Sequence, residues 1–82
     1  MGDPEAALAR QLALLEQQDA AGEKSAYTYE ELGECYLALG DDGNRRKFFA
    51  LAFDTFMNDP QYNFVLRYEK DRIERIKELS EE

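Results

Sequence analysis

Histidine and tryptophan are absent from the 82-residue sequence, and cysteine occurs only once, as Cys35. Without histidine the chain lacks the commonest general base, the commonest metal ligand, and the Ser–His and Cys–His pairs that activate nucleophiles. A single cysteine excludes an intrachain disulfide. No basic residue lies near Cys35 in the sequence to activate its thiol, so we interpret it as a small buried apolar residue. The sequence predicts a protein that is not an enzyme and that requires neither a cofactor nor a metal.

Basic residues are also fewer than acidic ones. The sequence has 10 Lys and Arg and 18 Asp and Glu, which gives a formal net charge of -8. Nucleic acids and anionic membranes select basic surfaces, so we expect neither as a partner. The sequence shows no apolar run long enough to span a bilayer and no signal-peptide pattern. Together with the single thiol, these features favour a cytoplasmic location.

The apolar residues recur at helical spacing, and their share of 44% is sufficient for a core. We predict an all-α fold with residues 1–82 as one domain. Ser25 is the favoured N-cap of the second helix, and Gly40 is expected to end it. The apolar spacing slips near 68–70, so the last segment is either one helix or two. The predicted helices cover about 4–20, 26–39, 42–57 and 60–80.

A glycine inside the second predicted helix indicates close helix packing. Gly33 costs that helix about 1 kcal/mol relative to alanine, which suggests that a neighbouring helix approaches at this point. The third predicted helix offers aromatic and small residues to fill the contact. Its apolar positions are Phe48, Phe49, Ala52, Phe53 and Phe56.

The spacing Tyr29-x2-Leu32-Gly33-x2-Tyr36, followed by Phe49, Ala52 and Pro60, resembles the tetratricopeptide repeat. The resemblance covers one repeat, Ala26 to Pro60. It implies an antiparallel helical hairpin, here with an extra N-terminal helix and a C-terminal segment, in a protein-interaction module. Arg45 stands where the family usually has alanine. We therefore expect that end of the hairpin to be splayed, or the arginine to point outward.

In the tetratricopeptide family the first helix of each repeat lines a concave groove that binds the partner. Carried over to this chain, the resemblance makes Tyr27, Glu30, Glu34, Leu37 and Ala38 the partner-binding residues, which we call the α2 face. Carboxylates one turn apart beside a tyrosine and a leucine suit a protein or peptide segment with basic and apolar residues. We expect both carboxylates to be solvated, and reversal of their charges to leave the fold intact.

The alternative hypothesis is a self-associating structural protein. The first and last predicted helices each carry an apolar stripe. If both stripes cannot be covered within one chain, the uncovered one would drive formation of a homodimer. The charged residues of the last helix are expected to pair within it, Asp71 with Arg75 and Lys70 with Glu74. The two stripes are Leu8, Leu12 and Leu15, and Ile73, Ile76 and Leu79.

Overall fold

The computed structural model describes residues 3–82, and these residues form helices without any strand. The predicted all-α fold is confirmed. A short 3-10 turn, Pro60–Tyr62, precedes the fourth helix. The α-helices are α1 (Pro4–Ala20), α2 (Ala26–Leu39), α3 (Asp42–Asn58), α4 (Asn63–Tyr68) and α5 (Lys70–Glu81).

The ends of α2 and α3 are set by local side-chain and backbone chemistry. The Ser25 hydroxyl accepts a 3.4 Å hydrogen bond from the N–H three residues later, so it is the N-cap of α2, as predicted. Gly40 ends α2 with φ of 76°, a left-handed conformation that glycine adopts without steric cost. The Asp41 carboxylate then caps α3 by accepting a 3.2 Å bond from the Asn44 N–H. The chain therefore reverses direction over two residues.

Aromatic contacts fix the relative direction of α2 and α3. Tyr36, near the end of α2, stacks on Phe48, near the start of α3, with ring centroids 5.5 Å apart. Tyr27, at the start of α2, meets Phe56, near the end of α3, edge to face at the same distance. The two helices are therefore antiparallel neighbours.

The core lies mainly between α2, α3 and α5, and α1 lies at its edge. None of the α1 residues is fully buried. Leu8 and Leu15 pack against the core while half-buried, whereas Leu12 is exposed. The predicted α1 stripe is thus only partly covered. The buried apolar residues of the described chain are Ala26, Tyr29, Leu32, Cys35, Phe48, Phe49, Ala52, Phe56, Tyr62, Val65, Ile73 and Ile76.

The last segment is divided by Glu69, which lies between α4 and α5 with φ of -128° and ψ of 48°. The slip in apolar spacing therefore corresponds to two helices. Ile73 and Ile76 are buried and Leu79 is half-buried against the core, so the stripe of α5 is covered within the chain. Phe53, placed with the buried rings by its spacing, is only half-buried.

The expectation for Arg45 is wrong, because its side chain is buried and points to the far end of α5. Its guanidinium donates hydrogen bonds to the carbonyl oxygens of Leu79, at 2.6 Å, and Glu82, at 3.1 Å. The last carbonyls of a helix lack partners within the helix and carry a partial negative charge, so an arginine satisfies both needs. The same contacts show that α5 runs antiparallel to α3.

Candidate functional site

The residues of the α2 face lie at different depths. Tyr27 is 37% exposed and Leu37 is 38% exposed, and Ala38 beside it is also open to solvent. Glu34 is partly covered, and Glu30 is buried with only 7% exposure. Of this face, Glu30 alone is therefore closed to solvent, and the other residues are partly or fully accessible.

Arg72 of α5 covers Glu30. Its Nε lies 3.0 Å from Oε1 and 3.1 Å from Oε2 of Glu30, and its terminal NH2 group also donates to Oε1. The other terminal nitrogen, NH1, donates to the Glu69 carboxylate at 3.3 Å. One guanidinium thus pairs with a buried carboxylate and with a second one at the α4–α5 junction.

The same guanidinium lies against aromatic rings. The Cζ atom of Arg72 is 5.0 Å from the ring centroid of Tyr27 and 5.7 Å from that of Phe56. Cation–π contacts at these distances stabilise a partly desolvated arginine. Tyr62 completes the cluster edge to face, with its centroid 5.0 Å from that of Phe56. Arg72 therefore closes one end of the α2–α3 hairpin.

Arg75 repeats the arrangement one turn later in α5. It forms a two-point contact with Glu34, with NH1 3.0 Å from Oε2 and NH2 2.8 Å from Oε1. This pair is more exposed than the first. Since Arg72 and Arg75 follow the order of Glu30 and Glu34, α5 runs in the same direction as α2 and reaches it through these long side chains.

Both arginines are held in the charged form. The hydrogen bonds that Arg72 donates to Glu30, and secondarily the charges of Glu30 and Glu69, raise the pKa of Arg72 despite the opposing effect of burial. The hydrogen bonds that Arg75 donates to Glu34 likewise raise the pKa of Arg75. The ion pairs between α2 and α5 therefore do not lose their positive partner at any physiological pH.

The expectation of a solvated acidic face is wrong for Glu30. Because Glu30 and Glu34 pair with Arg72 and Arg75, we now expect reversal of both charges to destabilise the fold. Reversal would place positive charges against Arg72 and Arg75 beside a buried core. Assignment of the α2 face to a partner stays a prediction. What the structure adds is that the chain's own α5 occupies its middle.

The role of Arg72 and Arg75 was not predicted from the sequence. The predicted pairing of Arg75 with Asp71 inside α5 is wrong, because the arginine reaches Glu34 on another helix. A signal was present, since the two arginines stand three residues apart and adjoin Ile73 and Ile76 of the apolar stripe. Glu30 and Glu34 are four residues apart, about one helical turn, and so lie on one side of α2. Arg72 and Arg75 are three apart on α5, so the two acidic residues can pair with the two basic ones.

A second exposed surface lies on α4. Phe64 is 52% exposed and Tyr68 is 76% exposed, one helical turn apart. Arg67 and Lys70 are exposed beside them and line the same shallow depression. Aromatic rings this open are available for contact with another molecule.

The thiol of Cys35 is buried, and its environment does not activate it. Burial raises the pKa of Cys35, and the negative charges of Glu31 and Glu34 raise it further, while the positive charge of Arg10 lowers it. A thiol that stays protonated is a poor nucleophile and a poor metal ligand.

Residues 3–82 show neither a metal-binding cluster nor a membrane-spanning helix. Within this part of the chain, no group of three or more cysteine, aspartate and glutamate residues is placed to hold a metal ion. None of the helices described combines the length and apolarity that crossing a bilayer requires.

No family model, curated protein or solved structure shows significant similarity to this chain.

Proposed function

We propose that this chain is a non-catalytic protein-interaction module in which a tetratricopeptide-like hairpin, α2–α3, binds a basic and apolar helical segment. The observation that carries the proposal is the docking of α5. Glu30 and Glu34 take two arginines one turn apart, while Ile73 and Ile76 enter the core beside them. An external segment with the same spacing offers the same chemistry.

Two further features support a basic partner. The net charge of -8 attracts basic segments at long range and accelerates their encounter with the chain. Tyr27 and Leu37, at the two ends of the α2 face, are exposed and supply apolar contact area beyond that used by α5.

An external segment has to compete with α5, which is tethered to the same chain. A short tether gives α5 an effective concentration in the millimolar range at the α2–α3 hairpin. The intrachain helix therefore displaces an external segment that binds weakly. The competitor succeeds when the contacts of α5 are weakened, or when the competitor adds contacts to Tyr27 and Leu37.

The test uses a fluorescent peptide with the sequence of residues 70–81 and measures its binding by anisotropy. The host is the full-length chain carrying Arg72→Ala and Arg75→Ala, whose own α5 keeps its isoleucines but loses both ion pairs. We expect this host to bind the peptide at least about tenfold more tightly than the parent, and less tightly as salt is added.

Two controls define the outcome. A peptide carrying Arg72→Glu and Arg75→Glu should not bind, and a host carrying Arg67→Ala, an exposed arginine outside the α2 face, should behave as the parent. Equal binding of the charge-reversed peptide, or no binding to either host at millimolar peptide, would remove the proposal.

Self-association through α1 is a second candidate function. It is favoured by the exposure of Leu12 and Leu14 on a helix that has no fully buried residue. The apolar stripe of α5 does not support self-association, because it is packed against the core of its own chain. Sedimentation of the parent and of a chain carrying Leu12→Glu and Leu14→Glu, at two concentrations, tests whether α1 forms a dimer interface.

A further inference from the structure

We propose that two copies of this chain exchange α5, so that the α5 of each copy docks on the α2–α3 hairpin of the other. The partner is a second copy of the chain, and the interface is the one that α5 already makes within one copy. The inference rests on that observed intrachain docking and on the α4–α5 junction. It is independent of the external partner proposed above.

The junction consists of a single non-helical residue, Glu69. Its N–H donates to the carbonyl of Val65 at 2.8 Å, and its own carbonyl accepts from the N–H of Ile73 at 3.3 Å. Both bonds join residues four apart, as in an α-helix. The backbone angles of Glu69 depart from the helix, with φ at -128° and ψ at 48° where a helix needs about -63° and -42°. Rotation about the two backbone bonds of this one residue, φ and ψ, therefore separates the bent segment from a straight one.

The local sequence does not require this bend. Residues 61–82 contain no glycine and no proline. Neither α4 nor α5 has a side-chain cap at its start. If Glu69 turned helical, the N–H groups of residues 70–72 would reach the carbonyls of residues 66–68 and join the two helices into one, 63–81. Local preference thus favours a straight helix, and the contacts of α5 with the rest of the chain impose the bend.

Straightening within a single copy is costly. It would remove Ile73 and Ile76 from the core and leave Glu30 buried without Arg72. It would also leave Arg45 without the α5 carbonyls that it binds. A lone chain therefore stays bent.

A second copy removes that cost. When each straightened helix places its α5 on the other copy, every ion pair and apolar contact of α5 is re-formed. Each chain also gains up to three helical hydrogen bonds at the former junction. The loss of translational freedom opposes the exchange, so the dimer forms only as the concentration rises. A two-fold axis satisfies both chains with one interface, which is the usual geometry of exchanged dimers.

The first test changes the junction without touching the docking contacts. Lys70 is exposed and is the first residue of α5, a position where proline is tolerated. In a continuous helix, proline at 70 would lose the hydrogen bond to Leu66 and clash with its carbonyl. We expect the parent to dimerise at high concentration after refolding, and Lys70→Pro to raise the dimer dissociation constant at least a hundredfold.

Sedimentation equilibrium measures that constant, and Lys70→Ala is the matched control, which should dimerise as the parent does. A parent that remains monomeric at millimolar concentration after refolding overturns the proposal. So does a Lys70→Pro chain that dimerises as tightly as the parent.

The second test uses complementary charges. One chain carries Glu30→Arg and Glu34→Arg, and the other carries Arg72→Glu and Arg75→Glu. Alone, each chain sets like charges against each other, both within a monomer and in its own exchanged dimer. Only a heterodimer with exchanged α5 restores opposite charges at both docking sites.

We expect the two chains, refolded together in equal amounts, to give a heterodimer by native mass spectrometry with a higher melting midpoint than either alone. Absence of that heterodimer overturns the exchange, whatever the peptide experiment shows. A heterodimer formed while the external peptide fails to bind supports the exchange and removes only the proposed function.

Discussion

Gly33 of α2 and Phe49 of α3 are so close that a Cβ atom at position 33 would lie 2.8 Å from Cδ2 of the phenylalanine ring. The ring cannot move away easily, because Phe49 is fully buried. This contact sets the distance between the two helices of the hairpin, and the other aromatic pairs are arranged around it.

Gly33→Ala should therefore destabilise the protein even though alanine favours helix. We expect a net loss of about 1–3 kcal/mol, since overpacking outweighs the gain in helix propensity. The free energy of unfolding from urea titration measures it. Gly43→Ala is the control: its added Cβ meets nothing closer than 3.9 Å, so it should be neutral or slightly stabilising. Equal effects at the two positions would contradict the close approach at Gly33.

A larger side chain at the same position tests the contact more severely. Gly33→Leu adds four heavy atoms where one already collides, so we expect loss of the folded state or nearly so. Circular dichroism during heating measures the melting midpoint. A leucine variant that melts within a few degrees of the parent would show that the hairpin is not held by this contact.

Phe49→Ala should cost roughly 3–5 kcal/mol, because it empties a fully buried site. Phe53→Ala should cost less, since that ring is half-buried. Phe64→Ala, at an exposed ring of α4, should change stability by less than about 0.5 kcal/mol. Urea midpoints rank the three variants, and any other order would contradict the packing of α3.

The two ion pairs between α5 and α2 should differ in strength. Arg72→Ala leaves Glu30 buried and unpaired. Since the Arg72 side chain is 32% exposed, we expect a loss of roughly 1–3 kcal/mol rather than the larger value of a dry pair. Arg75→Ala breaks a more exposed pair and should cost less than about 1 kcal/mol.

The pH dependence of these pairs has a defined sign on the arginine side. A pKa raised by folding contributes stability that is complete below the ordinary arginine pKa and is lost only at still higher pH. We therefore expect the difference between the parent and Arg72→Ala to stay constant from about pH 6 to pH 9. A difference that fell across this range in urea titrations would show that Arg72 is not held as described.

Cys35 should react slowly with Ellman's reagent in the folded chain at pH 8, because burial raises its pKa and restricts access. Unfolding in guanidinium should restore the rate of a free thiol. The raised pKa also stabilises the fold fully below the ordinary thiol value of about 8.5 and progressively less above it. Equally fast reaction of the folded and unfolded chains would show that the thiol is open.

The parts of the fold that depend on neighbouring residues could be predicted from the sequence. The cap at Ser25 and the left-handed turn at Gly40 use chemistry within three or four residues, so local pattern is sufficient. The bend near Glu69 was signalled by the slip in apolar spacing. Packing of Gly33 against an aromatic ring followed from the cost of a glycine inside a helix.

The contacts made by arginines could not be predicted in the same way. Arg45 reaches the carbonyl of Leu79, and Arg72 reaches Glu30, across 34 and 42 residues of chain. Such contacts depend on how α5 is placed beside α2 and α3. No local rule sets that placement. The α2 face consequently looked like an open acidic surface, although another part of the chain covers its middle.

The hydrogen bond that the Ala26 N–H donates to the Tyr62 hydroxyl, at 3.1 Å, joins the first residue of α2 to the turn before α4. These residues are 36 positions apart, so during synthesis the start of α2 leaves the ribosome well before its acceptor. Arg72, which pairs with Glu30, is synthesised 42 residues after it. The α2–α3 hairpin is therefore synthesised first. The groups that bind its Ala26 N–H and its Glu30 carboxylate are added only after α3 has been translated. Completion of this fold is a late step in the life of the nascent chain.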